Sequence, residues 1–108
     1  MFSCSGAAEI ADRAVRKVHR DGAAKMFCLA GIGGRVELSL QNTQAARSLV
    51  AVDGCDTDCA KRTLELAGLR VTDLGIEKGK TEVTSARIDM VAGRVRDALD
   101  APAARADL

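Results

Sequence analysis

Short apolar runs alternate with amphipathic stretches along this chain of 108 residues. The amphipathic stretches carry apolar residues at the spacing of one helix face. They predict helices over 8–20, over 59–66 and from Ser85 onward. The apolar runs predict four short strands, at 1–3, 24–29, 49–52 and 70–74. The pattern is therefore a succession of strands and helices.

Two further stretches are less regular. In residues 36–47, Val36, Leu38 and Leu40 alternate as in a strand, whereas Thr43 to Arg47 favours a helix. We predict a helix, because parallel strands need a crossover connection at this point. The glycine-rich stretch 30–34 predicts a flexible loop.

This order of elements predicts an α/β fold. Strands alternating with helices form a parallel sheet covered on both sides. We therefore expect a small three-layer parallel sheet of about four strands with helices on both faces, Rossmann-like or flavodoxin-like. The length fits one domain over 1–108, with 101–108 expected to be a frayed tail. In such sheets ligands bind beyond the carboxyl ends of the strands.

Composition narrows the possible partners. The net charge of +1 gives no basic excess for binding nucleic acid or an anionic membrane. Aromatic residues are only 2% of the chain, too few for a platform on which bases stack. No apolar run is long enough to span a bilayer, and the N-terminus does not resemble a signal peptide. We expect a cytoplasmic protein with reduced thiols.

The four cysteines carry the candidate chemistry. Cys4 follows the first predicted strand, Cys28 ends the second, Cys55 follows the third, and Cys59 opens the next helix. Since parallel strands end at one edge of a sheet, all four thiols are expected to meet there. Four thiolates complete the tetrahedral coordination of a zinc ion. They also leave no position for a reacting water, so an enzyme is the less favoured interpretation.

Other interpretations of the cysteines stay open. They could be small apolar core residues, and Cys28 fits this best because it lies in an apolar run. Cys55 and Cys59 could form a reversible disulfide in a thiol-redox protein, although their C-x3-C spacing differs from that of thioredoxin-like proteins. The four thiols could also serve a metal carrier or hold an iron–sulfur cluster.

Residues near the cysteines have candidate supporting roles. Asp53 could accept hydrogen bonds from the turn that presents a ligand, or could simply be part of an Asp-Gly turn. Gly54 offers a backbone N–H that could offset the charge of the thiolates. Asp56 and Asp58 are expected to cap the following helix, and His19 is expected to be a surface residue.

Three blocks of the sequence carry a family resemblance. Residues 2–6, 27–33 and 52–60, in this order, resemble the DGC family of proposed zinc-binding proteins. The family is named for its Asp-Gly-Cys motif, which is Asp53-Gly54-Cys55 here. The resemblance implies that the zinc-chelating set is Cys4, Cys28, Cys55 and Cys59. It supplies no substrate, protein partner or oligomeric state.

Overall fold

The computed structural model describes residues 1–3, 9–54, 57–75 and 82–100. The described part contains three strands, β1 (Phe2–Ser3), β2 (Val50–Asp53) and β3 (Thr72–Gly75). It also contains five helices: α1 (Glu9–Arg20), α2 (Leu29–Gly33), α3 (Glu37–Gln44), α4 (Cys59–Leu66) and α5 (Ser85–Asp100). The strands form one parallel sheet in the order β1-β2-β3.

The central strand β2 is buried on both faces. Val50 and Val52 pack in a cluster with apolar residues of α1 and α5. Ala51 faces the opposite way and packs with Ile32 of α2 and Leu64 of α4. Successive side chains of a strand point to opposite faces, so β2 supplies both halves of the core. The predicted α/β fold with helices on both faces is confirmed.

The strand predicted at 24–29 is wrong, and the sheet has three strands within the described residues. Lys25 and Phe27 make backbone hydrogen bonds of 2.8 and 2.9 Å with Met1. The chain then enters α2 at Leu29, so the pairing covers too little backbone for a fourth strand. The flavodoxin-like assignment depended on that strand and is not confirmed.

The glycine-rich stretch is a short helix, not the predicted loop. A methyl group built on Gly31 would lie 2.3 Å from Ser39 Oγ and 2.8 Å from its Cβ. Gly31 is therefore required where α2 meets α3. The glycine-rich stretch indicated a flexible loop, but Gly31 instead permits α2 to pack closely against α3.

The remaining elements follow the sequence prediction closely. The helices predicted over 8–20, over 59–66 and from Ser85 correspond to α1, α4 and α5, and the ambiguous stretch 36–47 contains helix α3. The strands predicted at 49–52 and 70–74 are present, one and two residues further along as β2 and β3. The predicted tail 101–108 lies outside the described residues. Among the described residues, no helix is both long and apolar enough to cross a membrane.

Two glycine substitutions in α2 test this packing. Gly31→Ala should lower the free energy of unfolding by about 1–3 kcal/mol, because its methyl group overlaps Ser39. Gly33→Ala is the matched control, since its methyl group would make an ordinary 3.7 Å contact with Thr63. Urea unfolding of both variants measures the difference. Equal stabilities would contradict the close approach of α2 and α3.

Candidate metal-binding site

Helices α2 and α4 are in contact near the end of α2. A methyl group built on Gly33, the last residue of α2, would lie 3.7 Å from Thr63 Cγ2 of α4. The guanidinium of Arg35 donates a 2.7 Å hydrogen bond to the Ile32 carbonyl of α2 and one of 3.2 Å to the Leu66 carbonyl of α4. The carboxyl-terminal ends of the two helices are therefore held together.

Cys28 stands at the start of α2. It is the N-cap residue with an extended backbone, and its Sγ accepts a 3.4 Å hydrogen bond from the Gly31 N–H. The residue is exposed, so its interpretation as a core residue is wrong. The reason is local: the chain leaves the extended conformation at this residue, and the thiol caps a helix instead of packing under a strand.

Cys59 is the first residue of α4. It is also exposed, and its Sγ lies 3.0 Å from Thr57 Oγ1. The segment that leads to Cys28 runs alongside the start of β1 in the same direction, and Cys59 follows the end of β2. Both residues therefore lie toward the carboxyl edge of the sheet. Cys4 and Cys55 lie outside the described residues, so the prediction that they join this pair stays a prediction.

Asp53 fixes the start of α4 from the end of β2. Its side chain is fully buried, and its two carboxylate oxygens accept hydrogen bonds of 2.9 and 3.0 Å from the N–H groups of Ala60 and Lys61. Gly54, which follows it, is buried as well. This carboxylate satisfies backbone donors that a helix leaves unpaired in its first turn.

The capping role expected of Asp58 is therefore wrong. Asp58 occupies the N-cap position, but its side chain makes no capping hydrogen bond and its backbone is left-handed, with φ of 50°. Asp53 already accepts from the N–H groups that a capping side chain would bind. Asp56 lies outside the described residues.

Asp73 of β3 is a residue that sequence reasoning missed. It pairs with Ala51 in the sheet, and one of its carboxylate oxygens is buried without a hydrogen-bond partner. Burial, then the hydrogen bonding and charge of Asp53 and the charge of Asp58, together raise the pKa of the Asp73 carboxyl to about 6, against the opposing charge of Lys61. The signal in the sequence was an aspartate inside a predicted strand.

Asp53, Asp58 and Asp73 form an acidic cluster next to the start of α4. Carboxylate oxygens of Asp53, Asp58 and Asp73 all lie within 4.8 Å of one another. Oxygen donors suit hard cations such as Mg²⁺ and Ca²⁺. However, both Asp53 oxygens already accept backbone hydrogen bonds, so within the described part of the chain the cluster is better suited to holding α4 than to coordinating an ion.

Comparison with known proteins now places the chain. The sequence profile of the DGC domain matches residues 1–95. The chain belongs to the DGC domain family. The resemblance stated from the sequence is confirmed, and membership suggests a metal-binding protein.

The chain is also similar to the anaerobic and virulence modulator AnvM of Pseudomonas aeruginosa. The two are 36% identical over 61 residues, which are 56% of this chain and 47% of AnvM. The match therefore spans about half the length of this relative. No solved structure matches the chain significantly.

Removing the Asp53 carboxylate should loosen α4. We expect Asp53→Ala to lower the free energy of unfolding by about 2–3 kcal/mol, because two backbone donors lose a charged acceptor. Asp97→Ala removes an exposed aspartate of α5 and is the control, with a change within about 0.5 kcal/mol. Chemical denaturation of the metal-free, reduced protein gives both values, and similar losses would contradict the bracing role of Asp53.

Asp73 should make stability depend on pH. Its pKa is raised from 3.8 to about 6 in the folded protein, so folding binds a proton and the resulting stability is present below pH 4 and lost as pH rises through 6. Asp73→Asn should flatten this dependence and raise stability at pH 7 by about 1 kcal/mol or less, since the side chain is partly open to solvent.

Thermal unfolding of the metal-free, reduced protein between pH 4 and 7 tests this expectation. Asp97→Asn makes the same change of net charge outside the cluster and should keep the pH dependence of the parent chain. If the thermal stability of Asp73→Asn changed with pH as that of the parent protein does, the coupling of Asp73 to its acidic neighbours would be contradicted.

Proposed function

We propose that this DGC-domain protein binds one zinc ion through the thiolates of Cys4, Cys28, Cys55 and Cys59. The observation that supports the proposal is that Cys28 and Cys59 stand at the starts of α2 and α4, after segments that run toward the carboxyl edge of the sheet. Cys28 and Cys59 share that edge although they are far apart in the sequence. Cys4 and Cys55 complete the donor set in the proposal because they flank the ends of β1 and β2 in sequence.

Helix starts are a favourable place for thiolates. The N-terminal end of a helix carries a partial positive charge and unpaired N–H groups. The Gly31 N–H already points at the Cys28 sulfur. These donors would offset the charge of four thiolates around Zn²⁺, which would otherwise leave a net charge of −2.

The donor type also favours zinc over a hard cation. Sulfur ligands select zinc, copper(I) or iron–sulfur clusters, whereas Mg²⁺ and Ca²⁺ take oxygen ligands. The acidic cluster nearby would supply oxygen, but its central carboxylate is occupied by the backbone of α4. We therefore assign the ion to the cysteines and a supporting role to Asp53.

Metal analysis of reduced protein tests the proposal. We expect about one equivalent of zinc per chain, as a four-thiolate site requires. Cys28→Ser and Cys59→Ser should each reduce zinc content and should weaken the thiolate-to-metal absorption of the cobalt-substituted protein. Asp97→Asn, at an exposed position of α5, is the control and should leave both unchanged, whereas His19 is kept because its Nδ1 accepts a hydrogen bond from the Met26 N–H.

Other outcomes separate the competing functions. Brown protein containing iron and acid-labile sulfide would indicate an iron–sulfur cluster in the same donor set. Metal-free protein with a reversible Cys55–Cys59 disulfide would indicate thiol-redox chemistry. Full zinc content in every single cysteine variant would contradict the four-thiolate site.

A further inference from the structure

The two described donor thiols lie at the surface. Cys28 and Cys59 are exposed. Ala60, which follows Cys59, and Asp53, whose carboxylate accepts a hydrogen bond from the Ala60 N–H, are completely buried. A zinc ion that replaces a hydrophobic core is typically enclosed by its ligands, and such domains unfold when the metal is removed. The two thiols therefore lie in solvent, whereas the elements that carry them are held by the core.

The backbone before Cys28 is held by interactions that involve no thiol. The Phe27 N–H donates a 2.9 Å hydrogen bond to the Met1 carbonyl, and the Met26 N–H donates one of 2.9 Å to His19 Nδ1. The rings of Phe27 and Phe2 pack edge to face with centroids 5.8 Å apart. These contacts place the start of α2 against β1 and α1.

The backbone after Cys59 is held in the same way. The buried Asp53 carboxylate binds the Ala60 and Lys61 N–H groups, and Ala60 and Leu64 are fully buried against the sheet. The position of Cys59 is therefore set by β2 and by the core. Neither helix start depends on a bond between a sulfur and an ion.

From these observations we infer that the chain folds without the metal and that the zinc is exchangeable. The starts of α2 and α4 are in place before zinc binds, and zinc enters and leaves a donor set of which Cys28 and Cys59 lie at the surface. This inference rests on the proposed function, and it specifies that the metal is held for release rather than as a structural element. Zinc binding to such a site stabilises, by mass action, a chain that is already folded, and it is not required for folding.

Chelation of the zinc-loaded, reduced protein tests the inference. A chromogenic chelator in excess should remove the zinc within minutes, while the helical circular dichroism signal falls by less than about a tenth. The stripped protein should still unfold in one cooperative transition, at a lower Tm than the zinc form. Returning zinc should restore the original Tm.

Cys59→Ser separates the effect of the ion from that of the thiol. Its Tm, without metal, should lie within about 2 °C of the Tm of stripped parent protein, because the start of α4 is held by Asp53 in both. Loss of cooperative unfolding on chelation, or zinc release no faster than global unfolding, would overturn the exchangeable site and leave zinc binding intact. Failure of the reduced protein to take up zinc at all would overturn the proposed function as well.

Discussion

The buried carboxylate of Asp53 joins the sheet to the helix that begins the candidate site. It lies at the last position of β2 and accepts hydrogen bonds from two N–H groups in the first turn of α4. An unpaired carboxylate could not remain buried there, and the helix start would otherwise keep unpaired donors. The hydrogen bonds therefore fix where α4 begins, and with it Cys59. The start of α2, and with it Cys28, is held separately by contacts with β1 and α1.

The elements with a long or uniform pattern could be predicted from the sequence. Helices α1 and α5 have a regular apolar stripe, and β2 is a run of apolar residues buried on both faces. The short helix α2 could not be predicted, because a glycine such as Gly31 is equally compatible with a loop and with a close contact between helices. The predicted second strand failed because its last residue, Leu29, begins that helix.

The sequence indicates the cysteines of the candidate site but not the residues that support them. The cysteines stand out by number and position, and Cys28 and Cys59 stand at helix starts, whereas the meeting of all four thiols stays a prediction. The place of Asp73 in the acidic cluster could not be predicted, because Asp73 lies near Asp53 only when β3 pairs with β2 in the observed register. The cap on α4 comes from the preceding strand and not from the adjacent Asp58, an arrangement that local sequence signals cannot reveal. The acidic cluster includes Asp58, the residue before the exposed Cys59, and its negative charge attracts cations to the start of α4.

X-ray absorption spectroscopy at the zinc edge of the loaded, reduced protein tests the central claim most directly. Coordination by the cysteines predicts a first shell of sulfur atoms alone, about four of them at about 2.3 Å from the metal. A first shell made mainly of nitrogen or oxygen at about 2.0–2.2 Å would place the ion on carboxylates or imidazole instead. That result would contradict the assignment of the metal to the thiols at the starts of α2 and α4.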